Sequence, residues 1–580
     1  MQASHAASYL LPFFLAAGAA PAAQTLELGS NDFRISSMGP DGDGAFDARE
    51  PEVAYDPDRD QYLVVWHSDD DTGALVNNEN EVYAQFLDAD GQPLGTRLRL
   101  SEMGVDGDNA HDGSRPAVAY NPVLGEFLVV WHGIDEDDLG EEIYGQRVDA
   151  ATRSEVGADD FRISRMGGED EDPFGTASRP DVVYNAVLDE YLAVWGGKDA
   201  GGGSDRGVYA QRLDGLGGEL GADDALIGYG GPVQDPNVVA AAAAGADGYL
   251  VVWEHGEFDS SGTLQQAFGQ RLGADGSEIG VDDIVLSGVD GLRKYPSAAY
   301  DPHGERFLVA WRGQEVESDA IHARRVALDG TLGAPFALHG ASGPGAPTGR
   351  TTASAYSATN QAFVVVWPAD PAGGEVDDYE LFGQWIDAGT EALLGEPGFA
   401  ISDMGSTDTG NHFALDPAVV LHPSGEMLVV WSGSDDTAPL VTGELEIFGQ
   451  RRLVAVAGTE AARLGTPPNP NALLPGQTVG PVIGTTWDPI VDHGAFAPDA
   501  VLDVLIISLE AANVPTASGT LLCGLGNPSV TLTALPGTAF ASVTPDQPHF
   551  VGVALCAQAA SVTATDVLLT NALDLVIGTY

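Results

Sequence analysis

Apolar and polar positions alternate along most of this chain in short runs that recur at a fixed spacing. In the stretch Arg115–Gly133, "RPAVAYNPVLGEFLVVWHG", the run "PAVAYN" alternates with period two, the mark of a half-buried strand. A tight turn follows, and then "EFLVVW", a second short run rich in β-branched and aromatic residues. Downstream, "EIYGQRVDA" predicts a third strand. A Gly-containing turn such as "DADGQPLG" leads to a fourth strand of the type "DFRIS".

The unit repeats. Its landmarks are a Pro, a Tyr four residues on and a Trp eleven after that: Pro51, Tyr55, Trp66; Pro116, Tyr120, Trp131; Pro180, Tyr184, Trp195; and Pro296, Tyr300, Trp311. Three degenerate copies keep the Trp, at Trp253, Trp367 and Trp431, so seven copies lie 56 to 65 residues apart. A fixed period of this size signals a repeat architecture. Four antiparallel strands in each of seven copies predict an all-β chain built on a seven-bladed β-propeller over residues 31–453, its blades stacked face to face. The seventh copy lacks a fourth strand, while an orphan "DFRIS", Asp32–Ser36, precedes the first copy. We therefore expect Asp32–Ser36 to complete the blade of Trp431 and remove an open edge.

Composition shifts after Leu453, and no Lys or Arg follows Arg463. Residues 465–476, "GTPPNPNALLPG", read as a linker, and the strand-like runs over 477–580 predict a small β-sandwich. Residues 1–23 carry an apolar core from Tyr9 to Ala20 ending in small residues, as a signal peptide does. An exported chain with two cysteines, Cys523 and Cys556, is expected to pair them in one disulfide. The balance of 86 acidic and 25 basic residues, a net charge of −61, repels nucleic acid and anionic membranes. No later stretch is long and apolar enough to span a bilayer.

The motif set "P-x-V-x-Y-[ND]", "[YF]-L-V-V-W" and "[IV]-[YF]-[AG]-Q-R" resembles the repeats of exported bacterial β-propellers with TolB-like blades. The tail ending "LLTNALDLVIG" resembles a C-terminal module found on other secreted bacterial proteins. The first resemblance implies a fold, because propellers host many functions.

The Trp series and the Gln series (Gln85, Gln146, Gln211, Gln270, Gln384 and Gln450, with Arg324 in the fifth copy) recur in nearly every unit, which points to structure. For the amides we expect a repeated hydrogen bond to a neighbouring blade's backbone. Function belongs where the copies differ, in the long loops on one end of the ring. Two of these share one spacing: "DGDGAFD" with Asp41, Asp43 and Asp47, and "DGDNAHD" with Asp106, Asp108 and Asp112. Alternating Asp and Gly supplies carboxylates on a backbone able to curl around Ca²⁺. These loops resemble the short Asp-x-Asp Ca²⁺ loops of integrin-type propellers, and the alternative is a solvated acidic loop.

Glu169–Asp172, Asp69–Asp71, Asp135–Asp138, Asp435 and Asp436 add acid to that face, while Arg293, Lys294, Arg312 and Arg350 neutralise another sector. His67 and His132 follow blade tryptophans and read as surface residues. No nucleophile or sialidase-type signature is present. The sequence thus predicts a secreted or cell-surface, monomeric, non-catalytic binding protein for an extracellular glycan or protein ligand. The alternatives are a secreted polysaccharide hydrolase or lyase, and a periplasmic partner-binding subunit.

Overall fold

The computed structural model describes residues 25–580 apart from 71–73, 136–139, 167–175, 199–205, 232–236, 244–247, 260–261, 288–291, 315–318, 339–350, 371–378, 405–411, 436–438, 442, 455–457, 478–479, 527–528, 545–550, 552 and 579–580. The expected signal segment, 1–23, lies outside the described residues. The described chain is all β, with no helix and so none long and apolar enough to cross a membrane.

Each repeat folds as an antiparallel sheet in chain order. The first comprises Ala48–Asp56, Gln61–Ser68, Glu81–Asp88 and Pro93–Arg99. The same order holds for the sheets that begin at Gly113, Thr176 and Ala353. The copies beginning at Asn237 and Leu292 are joined into one larger sheet by a single parallel bridge, Gln265 to Leu292. The last sheet takes Phe413–Leu421, Glu426–Ser434 and Leu445–Val454, and its fourth strand is Thr25–Arg34 from the chain's start. Phe33 lies opposite Gly449 and Arg34 opposite Phe448. The orphan strand therefore completes the blade of Trp431 as expected, and it begins earlier, at Thr25.

The first strands pack side by side. Ala48–Asp56 meets Gly113–Asn121, followed by Thr176–Asn185, Asn237–Ala243, Leu292–Asp301, Ala353–Ser357 and Phe413–Leu421, which returns to Ala48–Asp56. This is an arrangement of the β-propeller type. Its core explains why the second strands are continuously apolar: both of their faces are covered. Leu63 and Val65 pack with Phe127, Val129 and Trp131 of the next repeat, while Tyr62, Val64 and Trp66 pack with Leu428 and Val430 of the last. The tryptophans of all seven sequence repeats are buried, which makes them packing residues with no face for stacking on a sugar.

The Gln series is also structural, with a partner other than the one expected. Gln146 Nε2 donates to Arg147 O and Val156 O, and its Oε1 accepts the N–H of Asp160, all within one sheet. Gln211 and Gln450 hold Asp224 and Asp32 in the same way. The amide thus pins a bulge in its own outer strand, where Asp32, Asp160 and Asp224 take φ of 45°, 40° and 45°. These aspartates supply the link between repeats. Their carboxylates accept the N–H of Asp403, Glu102 and Arg165 in the preceding repeat at 2.8, 2.8 and 2.9 Å.

The C-terminal part contains a five-stranded sheet: Thr459–Arg463, Val567–Val576, Ala554–Val562, Leu502–Ser508 and Ser529–Ala534. The stretch expected as a linker is packed into this module. Asn469 Nδ2 donates to Thr520 O and Thr570 O, and Ala472 and Leu473 join the core around Trp487, Phe540 and Leu573. The break from the repeats falls earlier, between Val454 and Thr459, because Thr459–Arg463 already belongs to the C-terminal sheet. Cys523 and Cys556 are bonded, with Cα atoms 5.6 Å apart, tying the hairpin Ala511–Cys523 to that sheet.

Candidate functional site

The two acidic loops adopt one geometry, as their spacing predicts, and the strand before each loop explains it. Arg34 donates to Glu446, to Ser36 O at 2.8 Å and to Asp41 at 2.8 Å. Arg99 does the same with Glu81, Ser101 O at 3.0 Å and Asp106 at 2.9 Å. Ser36 and Ser101 hydroxyls donate to the same buried glutamates. Next in each loop, the N–H of Gly42 donates to Glu444 and that of Gly107 to Glu79, both at 3.0 Å. Asp43 and Asp108 cap the turn by accepting the N–H of Ala45 and Ala110. Asp47 pairs with Arg49, and Asp112 accepts the N–H of Asn80.

Asp41 and Asp106 are therefore held by arginines, while Asp43 and Asp108 stand exposed at the loop tips. Among the described residues no three His, Cys, Asp or Glu side chains are grouped to hold a metal ion. Asp69 and Asp70 prove to be internal: Asp69 accepts the N–H of Asp47 and Asn78, and Asp70 pairs with Arg97. Glu169–Asp172, Asp71, Glu136–Asp138, Asp436 and Arg350 lie outside the described residues, as do the side chains of Arg293 and Lys294.

The same end of the ring carries a second feature, at the start of each first strand. Glu50, Arg115, Arg179, Tyr295 and Asp416 each precede the landmark proline, and each takes a positive φ: 50°, 54°, 55°, 53° and 51°. The register slips at each of these places. A residue before proline ordinarily prefers extended backbone, and a non-glycine residue in the left-handed region stores about 1–3 kcal/mol.

The bulge is held by a bond between repeats. Glu50 N–H donates to Ser432 Oγ at 2.9 Å, Arg115 N–H to His67 Nδ1 at 3.3 Å and Tyr295 N–H to Glu254 Oε2 at 3.1 Å. The acceptor is in each case the residue after a blade tryptophan of the preceding repeat. His67 is thus a buried clamp and departs from the surface role expected for it. Burial pushes its pKa down to about 4, and that of His132 to about 3, so both are neutral at physiological pH.

The side chains on these bulges meet. Arg115 Nη2 lies 3.1 Å from Glu50 Oε1, and His67 Nδ1 lies 3.8 Å from Glu50 Oε2. Arg179 lies within electrostatic reach of Arg115, Glu50, Glu254 and Tyr295; burial first, and then the Arg115 charge, lower its pKa. Two residues further along their strands lie Glu52 and Asp181, whose charges influence each other. Burial, and then the Asp181 charge, push Glu52 up to about 8.

None of the bulge residues was singled out from sequence. The signal was present: the position before each landmark proline changes from repeat to repeat inside an otherwise constant frame.

No family model matches the sequence, and no curated protein matches it. Solved structures resemble it at low similarity. A protein of unknown function from Dyadobacter fermentans is 13% identical, with a TM-score of 0.35 over 59% of this chain and 94% of its own. A sialidase from Streptococcus pneumoniae is 9% identical, with a TM-score of 0.41 over 73% and 71%. The β-propeller domain of the trilobed protease from Pyrococcus furiosus is 10% identical, with a TM-score of 0.38 over 70% and 93%.

Proposed function

We propose that this chain is a seven-bladed β-propeller with a C-terminal β-sandwich module, acting outside the cell as a non-catalytic binding protein whose ligand sits at the axial end of the ring. One observation carries the reading. Five repeats hold the same strained backbone before their prolines, yet present Glu, Arg, Arg, Tyr and Asp from it. A costly conformation that recurs with changing side chains is a scaffold for recognition. The disulfide supports an oxidising compartment.

The test is a glycan and peptide array with the full chain and the double variant Glu50→Ala, Tyr295→Ala. The backbone clamps use only the N–H of these residues, so the variant should fold and lose its hits. Identical hits from both proteins would place the ligand elsewhere.

A second reading, glycan hydrolysis, has one observation in its favour: Glu52 is pushed up to about 8, by burial first and then by the charge of Asp181, which sets two carboxyls of unlike acidity at this end of the ring. Release of reducing ends from a polysaccharide panel, abolished by Glu52→Gln, would establish it; no release would remove it. We also propose Ca²⁺ for the loops at 41–47 and 106–112, in second place. Asp43 and Asp108 are exposed for it, but full coordination would have to take Asp41 and Asp106 from Arg34 and Arg99.

A further inference from the structure

This inference rests on the axial reading and names the chemistry of the ligand. The chain carries 25 basic residues against 86 acidic ones, so nearly every arginine can find a carboxylate. Arg34, Arg99, Arg162, Arg212, Arg306 and Arg451 all do. Arg153 and Arg324 do not, but they donate to Gln61 and to backbone carbonyls instead. Arg179 is the contrast. Among the described residues no carboxylate lies within ion-pair distance of its guanidinium. Its neighbour Arg115 is already engaged by Glu50 at 3.1 Å and repels it.

The position of Arg179 is fixed from two directions. Its backbone sits in the bulge at φ 55°, where the pairing with the second strand skips from Ser178 to Asp181. Its guanidinium feels Glu50, Arg115, Glu254 and Tyr295, which come from four other repeats. The first strands, from whose bulges Glu50, Arg115, Arg179 and Tyr295 project, pack side by side around the ring, which brings these side chains together at its axis. A half-buried cation placed there without a partner lacks the pairing that stabilises buried charge. A planar fork of N–H donors is also the geometry that carboxylates accept in bidentate fashion.

We propose that Arg179, seconded by Arg115, receives the carboxylate of an acidic saccharide whose end enters the ring axis. The saccharide's hydroxyls suit the rest of the site. Tyr295 offers a phenol, and Glu52 and Asp181 offer carboxyl groups two residues beyond the bulges. A net charge of −61 does not forbid an anion here. At physiological ionic strength the Debye length is about 8 Å, so distant acids are screened, whereas a guanidinium in contact is not.

The experiment uses the full chain with oligogalacturonate and oligoglucuronate, each beside its methyl ester, by calorimetric titration. The acids should bind and the esters bind at least about tenfold more weakly. Arg179→Gln should erase that preference while leaving the melting temperature unchanged. Arg179→Lys should restore part of it, because it keeps the charge and loses the fork. Acid binding that survives Arg179→Gln overturns the proposal, and so does the absence of binding by either acid. If the array still loses its hits in Glu50→Ala, Tyr295→Ala while acids and esters bind alike, the axial site stands and only the carboxylate assignment falls.

Discussion

The aspartates that bridge neighbouring repeats make stability fall as pH rises, the reverse of ordinary acid denaturation. Burial pushes Asp32 up to about 6, and Asp160 and Asp224 up to about 7, from an ordinary 3.8. Between pH 4 and 7 the native state therefore holds protons that the unfolded chain has released. Stability then declines with pH, since its slope follows the protons bound unfolded minus those bound native. The contribution is complete below the unfolded pKa and is lost as pH climbs through the folded one.

From pH 5 to 8 the linkage gives about 1.4 kcal/mol for Asp32 and about 2.6 kcal/mol for each of the other two. All three are partly solvent-exposed, so we halve the sum for screening and expect a loss of about 3 kcal/mol. The assay is thermal unfolding at constant ionic strength from pH 5 to 8. The comparison is the triple variant Asp32→Asn, Asp160→Asn, Asp224→Asn, whose amide oxygens can still accept the N–H of Asp403, Glu102 and Arg165. Wild type should lose several degrees, and the variant should be flatter and more stable at pH 8. General charge repulsion acts on both proteins, so it cancels in the difference. Equal slopes would refute the assignment of these carboxyls as half-buried bridges.

Removing residues 25–38 should destabilise the ring by at least about 3–5 kcal/mol, because it opens the edge of Leu445–Val454 and leaves buried Glu446 without Arg34, Ser36 and Met38; chemical denaturation showing a smaller loss would mean the last sheet stands without that strand. Reduction of Cys523–Cys556, which span 33 residues, should cost the C-terminal module roughly 3.7 kcal/mol in the chain-entropy model and leave the repeats' transition in place; two transitions moving together would contradict it. His67→Phe should destabilise by about 1–3 kcal/mol by leaving the Arg115 N–H without its acceptor, whereas an unchanged denaturation midpoint would show that the bulge does not need the clamp. Ca²⁺ should raise the melting temperature more than NaCl at matched ionic strength, and Asp43→Asn with Asp108→Asn should remove the difference; equal stabilisation by the two salts would strike Ca²⁺ from the loops.

The fold was legible wherever one residue type had one job in every repeat. The tryptophans announced packing, and the orphan strand before the first copy announced its place in the last sheet. Legibility failed where a residue's partner was remote or its composition misled. Asp41 looked like a free carboxylate because Arg34, seven residues back, lies on a strand paired with one more than four hundred residues away, which brings Glu446 to it. His67 looked exposed because nothing local shows that its imidazole accepts an N–H from the next repeat. Residues 465–476 looked like a linker because Pro, Asn and Gly suggest turns, yet Asn469 spends its amide on two buried carbonyls.

The candidate site was hidden by the feature that makes it suitable. The bulges at Glu50, Arg115, Arg179, Tyr295 and Asp416 agree within 5° of φ, although their side chains span carboxylate, guanidinium and phenol. The side chain therefore does not set this backbone. Where the clamp is seen, the N–H of the bulge is held by an oxygen or nitrogen from the preceding repeat, and Ser432, His67 and Glu254 all serve. Because the clamp asks only for an acceptor, the protruding residue is released from any structural duty. It can then be charged, aromatic or acidic without cost to the ring. A pattern search that looks for constancy passes over such a position, whereas the geometry shows a fixed frame with interchangeable side chains at its centre. In that frame Arg179, which has neither the carboxylate of most other arginines nor the amide or carbonyl partners that Arg153 and Arg324 take instead among the described residues, is the side chain whose presence the fold alone does not explain.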